Sequence, residues 1–145
     1  MPGTPTYRWR GALTDADLLD LVASHGGRPA PGWWPRVREH SLGWVTAHDD
    51  LLVGFVNVAW DGGDHAFLLD TGTRPSHQRR GIGTALVQRA VREATAAGCE
   101  WLHVDFLPEL TSFYRDACGF RPTEAGLVHL SRGRPREDGS DPTPP

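Results

Sequence analysis

Gln78-Arg79-Arg80-Gly81-Ile82-Gly83-Thr84-Ala85 ends a strand-like run and opens a helical one, with the composition of a turn that grips phosphate. Glycines at 81 and 83 remove the Cβ atoms that would hold a ligand away from the backbone. Successive N–H groups can then point into one concavity at the positive end of the following helix. Arg79 and Arg80 put two full charges beside it. The spacing fits neither Gly-x-x-x-x-Gly-Lys-Ser/Thr nor Gly-x-Gly-x-x-Gly, which argues against an ordinary ATP or dinucleotide site.

The flanking sequence predicts the unit that carries this turn. Leu86, Val87, Ala90, Val91, Ala94 and Ala97 recur at helical spacing and Gly98 supplies a stop, giving a helix over about Ile82 to Ala97. His65 to Thr73 before it and Trp101 to Phe106 after it read as strands. A strand, a helix and a strand in that order form a right-handed crossover with the two strands parallel. Upstream, Gly43 to Ala47 and Leu51 to Trp60 read as paired strands joined at His48-Asp49-Asp50. Asp61-Gly62-Gly63-Asp64 then turns tightly into the His65 strand, so an antiparallel meander precedes the crossover.

Leu13 to His25 reads as a first helix, with Thr14 as N-cap, Asp17 three residues on, Leu18, Leu21 and Val22 on one face, and Gly26-Gly27 as the stop. Arg28 to Pro35 is too rich in proline and glycine to continue it and reads as a loop carrying Trp33 and Trp34, with a short helix over Pro35 to His40. Pro108 suits the first position of a short helix ending at Gly119, and Leu127 to Leu130 is a candidate last strand. From Ser131 onward the chain has no apolar residue to bury, so residues 131–145 are expected to be a disordered tail after a single domain over 1–130.

Composition bounds the function. At 145 residues and 39% hydrophobic, the chain has the size of one domain with a real core. Its 15 Lys and Arg against 18 Asp and Glu give a formal charge of -3, without a long basic block outside the turn and tail, which disfavours nucleic acid as a main partner. Two cysteines, Cys99 and Cys118, form no Cys-x-x-Cys pair or zinc spacing, so no metal is expected. The N-terminal residues lack the regions of a secretory signal and no apolar run reaches the roughly 18 residues of a membrane helix. A cytoplasmic, reduced protein without a membrane partner is the expectation.

The Gln-x-x-Gly-x-Gly pattern at residues 78–83, followed about thirty residues later by Phe113-Tyr114-Arg115-Asp116-Ala117-Cys118-Gly119-Phe120, resembles the GNAT superfamily of acetyl-CoA-dependent N-acetyltransferases. The resemblance implies one α/β (α+β) domain, a mixed central sheet with an antiparallel meander followed by a βαβ unit, and helices on both faces. It implies that Gln78, Arg79, Arg80, Gly81, Ile82, Gly83 and Thr84 cradle the coenzyme A pyrophosphate, and that backbone at Thr71, Gly72 and Thr73 holds the pantetheine arm. It also places Tyr114 near the cofactor sulfur.

Acetyl transfer to an amine needs a neutral nitrogen, a stabilised oxyanion and a proton for the leaving thiolate. Tyr114, a phenol with an ordinary pKa of about 10, is the candidate proton donor. Cys118 one turn on reads as a small packing residue. Asp70, His65 and Asp105 are the candidate bases. Strand alternation puts His65, Phe67 and Leu69 on one face and Ala66, Leu68 and Asp70 on the other unless a bulge intervenes. Phe67 stands where several members of the family carry a glutamate, so the common base is missing. Asp70 and Asp105 sit in apolar strands, where a carboxylate is costly unless paired or facing a cleft.

Trp33, Trp34 and Trp60, with Asp61 at the turn, are the candidate acceptor-binding residues, offering flat surface and charge to an amine. The reading is an enzyme that acetylates the primary amine of a small molecule by direct attack in a ternary complex. Protein or peptide N-acetylation and a non-catalytic acyl-CoA sensor are its alternatives, and the oligomeric state, a homodimer included, stays open.

Overall fold

The computed structural model describes residues 3–28 and 30–130. These residues cluster into two compact units, the first ending at Val104 and the second beginning at Asp105. The expected tail over 131–145 lies outside the described residues.

The first unit is a five-stranded mixed sheet in the order β1-β2-β3-β4-β5, with β1 at Thr6–Trp9, β2 at Ser41–Asp49, β3 at Leu51–Trp60, β4 at His65–Thr73 and β5 at Trp101–Val104. The first four strands are antiparallel neighbours, and β5 joins β4 in parallel. The helices are α1 at Asp15–Ser24, α2 at Trp33–Val37 and α3 at Ile82–Ala96. The expected meander and βαβ unit are both present.

Helices cover both faces of the sheet, and adjacent residues of β3 show how. A Cβ on Gly54 would lie 3.0 Å from side-chain carbons of Ile82 and Leu86 and 3.3 Å from Ala47, so glycine lets α3 seat directly on β2 and β3. Phe55 points the other way, into a buried cluster of Leu18, Leu21, Trp34, Trp44 and Leu52 beneath α1 and α2. Thr14 caps α1 as expected: its Oγ accepts the Asp17 N–H at 3.1 Å, and its own N–H donates to the Asp17 carboxylate at 2.9 Å.

Several expectations are corrected. Strand β1 had no signal of its own: four residues with Arg8 at the centre become a strand because β2 offers a free edge to Thr6–Trp9. Trp33 and Trp34 begin a helix rather than occupy a loop. The Asp15 carboxylate, 17 and 19 residues away, accepts the N–H of Gly32 at 2.8 Å and of Trp34 at 3.2 Å, closing the open start of α2 from outside. Pro35 fits inside this first turn because it lacks an N–H that would need a partner. No strand forms at Leu127–Leu130, where Leu127, Val128 and Leu130 are 54%, 79% and 82% exposed.

The second unit begins with Asp105 and contains one tight and one wide turn in place of one regular helix. A 3₁₀ turn at Pro108–Leu110 leads into a π-helical turn at Ser112–Ala117, whose wide ring is closed by the Cys118 N–H on the Phe113 carbonyl at 3.0 Å. Gly119, at φ 78°, ends it, and the Phe120 N–H returns to the Tyr114 carbonyl at 2.9 Å.

Candidate functional site

Three features of β4 and its continuation build the site in the first unit. The parallel ladder with β5 covers His65–Leu68 against Trp101–Val104 and stops. Beyond Leu68, among the described residues, the β5 side of β4 is paired with no strand, so its amides and carbonyls are open to a linear amide ligand. On the β3 side the register slips: Asn57 opposes Leu69 and Phe55 opposes Gly72, two steps on β3 against three on β4. This bulge turns on Asp70, whose φ is +58°, a left-handed conformation that aspartate tolerates better than most residues.

The chain then runs through a 3₁₀ turn at Pro75–His77 into the arginine-glycine segment. Arg79 has φ 63° and Gly81 φ 80°, so left-handed residues flank Arg80 and turn consecutive N–H groups inward as a nest. Helix α3 starts at Ile82 with no side-chain cap and no acidic residue in its first turn. Its first intrahelical bond from this segment is the Ala85 N–H to the Gly81 carbonyl at 3.0 Å. The amides of Ile82, Gly83 and Thr84 thus lack helical partners, with Arg79 and Arg80 exposed beside them. Such an arrangement is suited to an anion. Gln78 has a further task, because its Nε2 donates to the Thr73 carbonyl at 3.2 Å and ties the nest to β4.

His77 anchors the same segment and was not singled out by its sequence. It is 7% exposed, with Nε2 2.9 Å from an Asp49 carboxylate oxygen and Nδ1 2.7 Å from the Ser76 hydroxyl. These contacts fasten the approach to the nest onto the β2–β3 turn.

A cleft of about 460 Å³ opens against the bulge, between α1, the segment leading to α2, and Asp70, Thr71 and Gly72. That volume suits a small organic molecule. Its walls are mainly apolar, from Leu18, Leu21, Val22, Trp33 and Phe55, and its ionisable groups include Asp15, His25, Arg28 and Asp70. Asp70 is exposed at the mouth of the cleft, yet the desolvation it does experience pushes its carboxyl above the usual range. The nearby Arg74 is engaged elsewhere, bonding Asp20 at 2.7 Å and the Leu52 carbonyl at 3.0 Å.

The two tryptophans separate. Trp33 lines the cleft. Trp34 is 1% exposed and packs edge-on to Trp44 and Phe55 at 4.8 and 5.3 Å, so its expected ligand contact is corrected to a core role. Trp34→Ala is expected to cost about 3–5 kcal/mol in chemical denaturation. Trp33→Ala is expected to cost less and to raise the acceptor KM instead. Equal stability losses with unchanged kinetics per folded molecule would assign both rings to the core.

Trp60, Asp61 and His65 are also corrected, because they sit at the other end of the hairpin. Trp60 pairs with Ala66, and six residues of strand separate Ala66 from Gly72, about 20 Å at the usual rise. The Trp60 indole donates to the Gly63 carbonyl at 2.8 Å, and Asp61 accepts the Gly63 and His65 amides at 2.7 and 3.2 Å. The Gly63 bond chiefly holds the Asp61 carboxyl below its ordinary value. His65 pairs across to β5, its Nδ1 2.7 Å from His103 Nε2. All three serve the turn and the strand ends.

In the second unit Tyr114 is 6% exposed, stacked on Phe106 at 4.9 Å and edge-on to Phe113 and Phe120 at 4.8 and 5.9 Å. Cys118 is half-buried and burial pushes its thiol up, which disfavours a nucleophilic thiolate. Asp105 is exposed.

Comparison with known proteins places this geometry. Residues 12–120 match the Acetyltransferase (GNAT) family, and the chain belongs to it. It is 30% identical over 106 residues to the mycothiol acetyltransferase of Mycolicibacterium smegmatis, a match covering 66% of this chain and 35% of that protein. The chain therefore matches about a third of that relative's length. Among solved structures, a GNAT-family acetyltransferase from Streptococcus pneumoniae aligns with a TM-score of 0.75 at 24% identity, over 88% of this chain and 98% of that one. AAC(6')-Iy in complex with a bisubstrate analogue of coenzyme A and acetylneamine aligns with a TM-score of 0.70 at 22% identity, over 90% and 99%. These structural likenesses establish the fold.

Among the described residues no helix is long and apolar enough to cross a membrane.

Proposed function

We propose that this chain transfers an acetyl group from acetyl-CoA to the primary amine of a small molecule by direct attack in a ternary complex. The observation that carries the reading is the arrangement around the β4 bulge. The open edge of Thr71–Thr73 leads to the anion nest at one end, and the Asp70 cleft lies against the bulge. The unpartnered amides at the start of α3, with Arg79 and Arg80, suit a pyrophosphate, and the β4 edge suits the amides of pantetheine. Acetyl-CoA would supply the activated thioester. Asp70 would hold the acceptor ammonium, apolar walls with Trp33 would seat its body, and Tyr114 would give a proton to the departing sulfur. Asp105 remains a further candidate for proton transfer. The names of two proteins this chain resembles, mycothiol acetyltransferase and the aminoglycoside N-acetyltransferase AAC(6')-Iy, agree with a polar small-molecule amine as acceptor.

Asp70→Asn tests this reading in two ways. Loss of one charge-assisted contact to the ammonium, worth about 1.5–3 kcal/mol, is expected to raise the acceptor KM about 10- to 100-fold with acetyl-CoA affinity preserved. The stability effect runs oppositely. Because the folded-state pKa of Asp70 is raised, the unfolded chain ionises first as pH rises, and the folded state is progressively penalised until its own pKa is passed. Asn removes that penalty, so its melting temperature is expected to exceed the parent's at neutral pH and to match it in strong acid. Unchanged acceptor kinetics with a panel of ring-bearing primary amines would remove Asp70 from the acceptor site.

A further inference from the structure

We propose that His25 takes the proton from the acceptor ammonium, while Asp70 in the same cleft holds that ammonium in place. The proposal rests on the amine-acetylation reading above and adds to it the identity of the base, which none of the strand residues supplies convincingly.

His25 ends α1, its N–H bonded to the Val22 carbonyl at 3.1 Å, and its ring lines the cleft together with Asp70 and Gly72. A Cβ placed on Gly72 would lie 3.6 Å from His25 Nε2, so the imidazole reaches the backbone of the bulge and the glycine leaves the space between them free. Among the described residues neither the His25 ring nor the Asp70 carboxylate forms a hydrogen bond. Neither therefore has to give up a partner to meet a ligand.

The surrounding charges favour a base. Desolvation and then the Arg74 guanidinium hold the ring below its ordinary pKa, so it is neutral at physiological pH with a free lone pair. The other charged groups around the ring are largely committed or compensating. Asp20 is bound to Arg74, Asp15 accepts the two amides at the start of α2, Arg28 lines the cleft, and Asp70 is the carboxylate that meets the ligand. The carbonyl end of α1 favours a protonated ring, which steadies the imidazolium once it forms. His25 is exposed, so the proton can pass on to water.

The step balances. The ammonium R–NH3+ gives one proton to His25 Nε2, and the neutral nitrogen attacks the thioester carbonyl carbon. The C–N bond forms and the C–S bond breaks; Tyr114 gives its phenolic proton to the departing sulfur, and the second proton lost from the nitrogen passes through water to restore the phenol, giving an amide and a thiol.

The test measures kcat/KM for an accepted amine across pH 6 to 10 in the parent and in His25→Gln, which keeps a polar side chain but has no basic nitrogen. His25→Ala with added imidazole is measured alongside. The parent is expected to reach its plateau below the amine's own pKa. His25→Gln is expected to be about 10²-fold slower at pH 7, to keep rising toward the amine pKa, and to bind acetyl-CoA normally, while imidazole partly restores His25→Ala. A slower His25→Gln with the parent's pH profile and no imidazole rescue would overturn the base role, as would an unchanged rate. A parent protein that acetylates no amine would overturn the functional reading itself, and with it this proposal.

Discussion

Gly83→Val is expected to weaken acetyl-CoA binding by about 10²-fold or more while leaving the protein folded. Gly83 lies in the first turn of α3, where its N–H has no helical partner and no side chain caps the helix. A branched side chain there stands where a phosphate must approach the backbone. Losing even two charge-assisted hydrogen bonds at about 1.5 kcal/mol each gives an effect of that size. The fold has reason to survive. Valine is a better helix former than glycine, and the buried face of α3, built from Ile82, Leu86, Val87, Ala90 and Ala94, is untouched. Calorimetry with acetyl-CoA and a melting curve check both halves. Unchanged affinity would remove the nest from the cofactor site.

Tyr114→Phe is expected to lower kcat by about 10² to 10⁴ with acetyl-CoA affinity nearly unchanged, the usual range for a lost general acid. The replacement keeps the ring, and with it the stack on Phe106 and the edge-on contacts to Phe113 and Phe120, so the aromatic cluster persists. The π-helical turn around Tyr114 is a rare backbone form, often associated with functional sites. A phenylalanine variant as active as the parent would leave Tyr114 as packing.

What could be read from the chain was local. The glycines and arginines of 78–83, the α3 periodicity and the Thr14 cap each carry their signal within a few residues, and the start of α3 and the cap were found where they were expected. A glycine within an apolar strand, as at Gly72, fits either a bulge or a close backbone approach, and the slip in pairing between Leu69 and Gly72 is a bulge. What could not be read depends on distant partners. Trp34 is core rather than cleft because an aspartate in α1 starts the helix that carries it. His25 looked like the end of a helix until the fold placed its ring opposite Gly72. Leu127–Leu130 has strand composition, but composition alone does not create a partner strand.

The most direct test is to incubate the protein with acetyl-CoA carrying a ¹³C-labelled acetyl group and a panel of small-molecule amines, peptides among them as controls, and to follow the label by mass spectrometry. The expected result is labelled acetyl on the nitrogen of a small cationic amine, with thiol release matching it and with loss of the product in Gly83→Val. Tight acetyl-CoA binding without transfer to any amine, or transfer to peptides alone, would contradict the account.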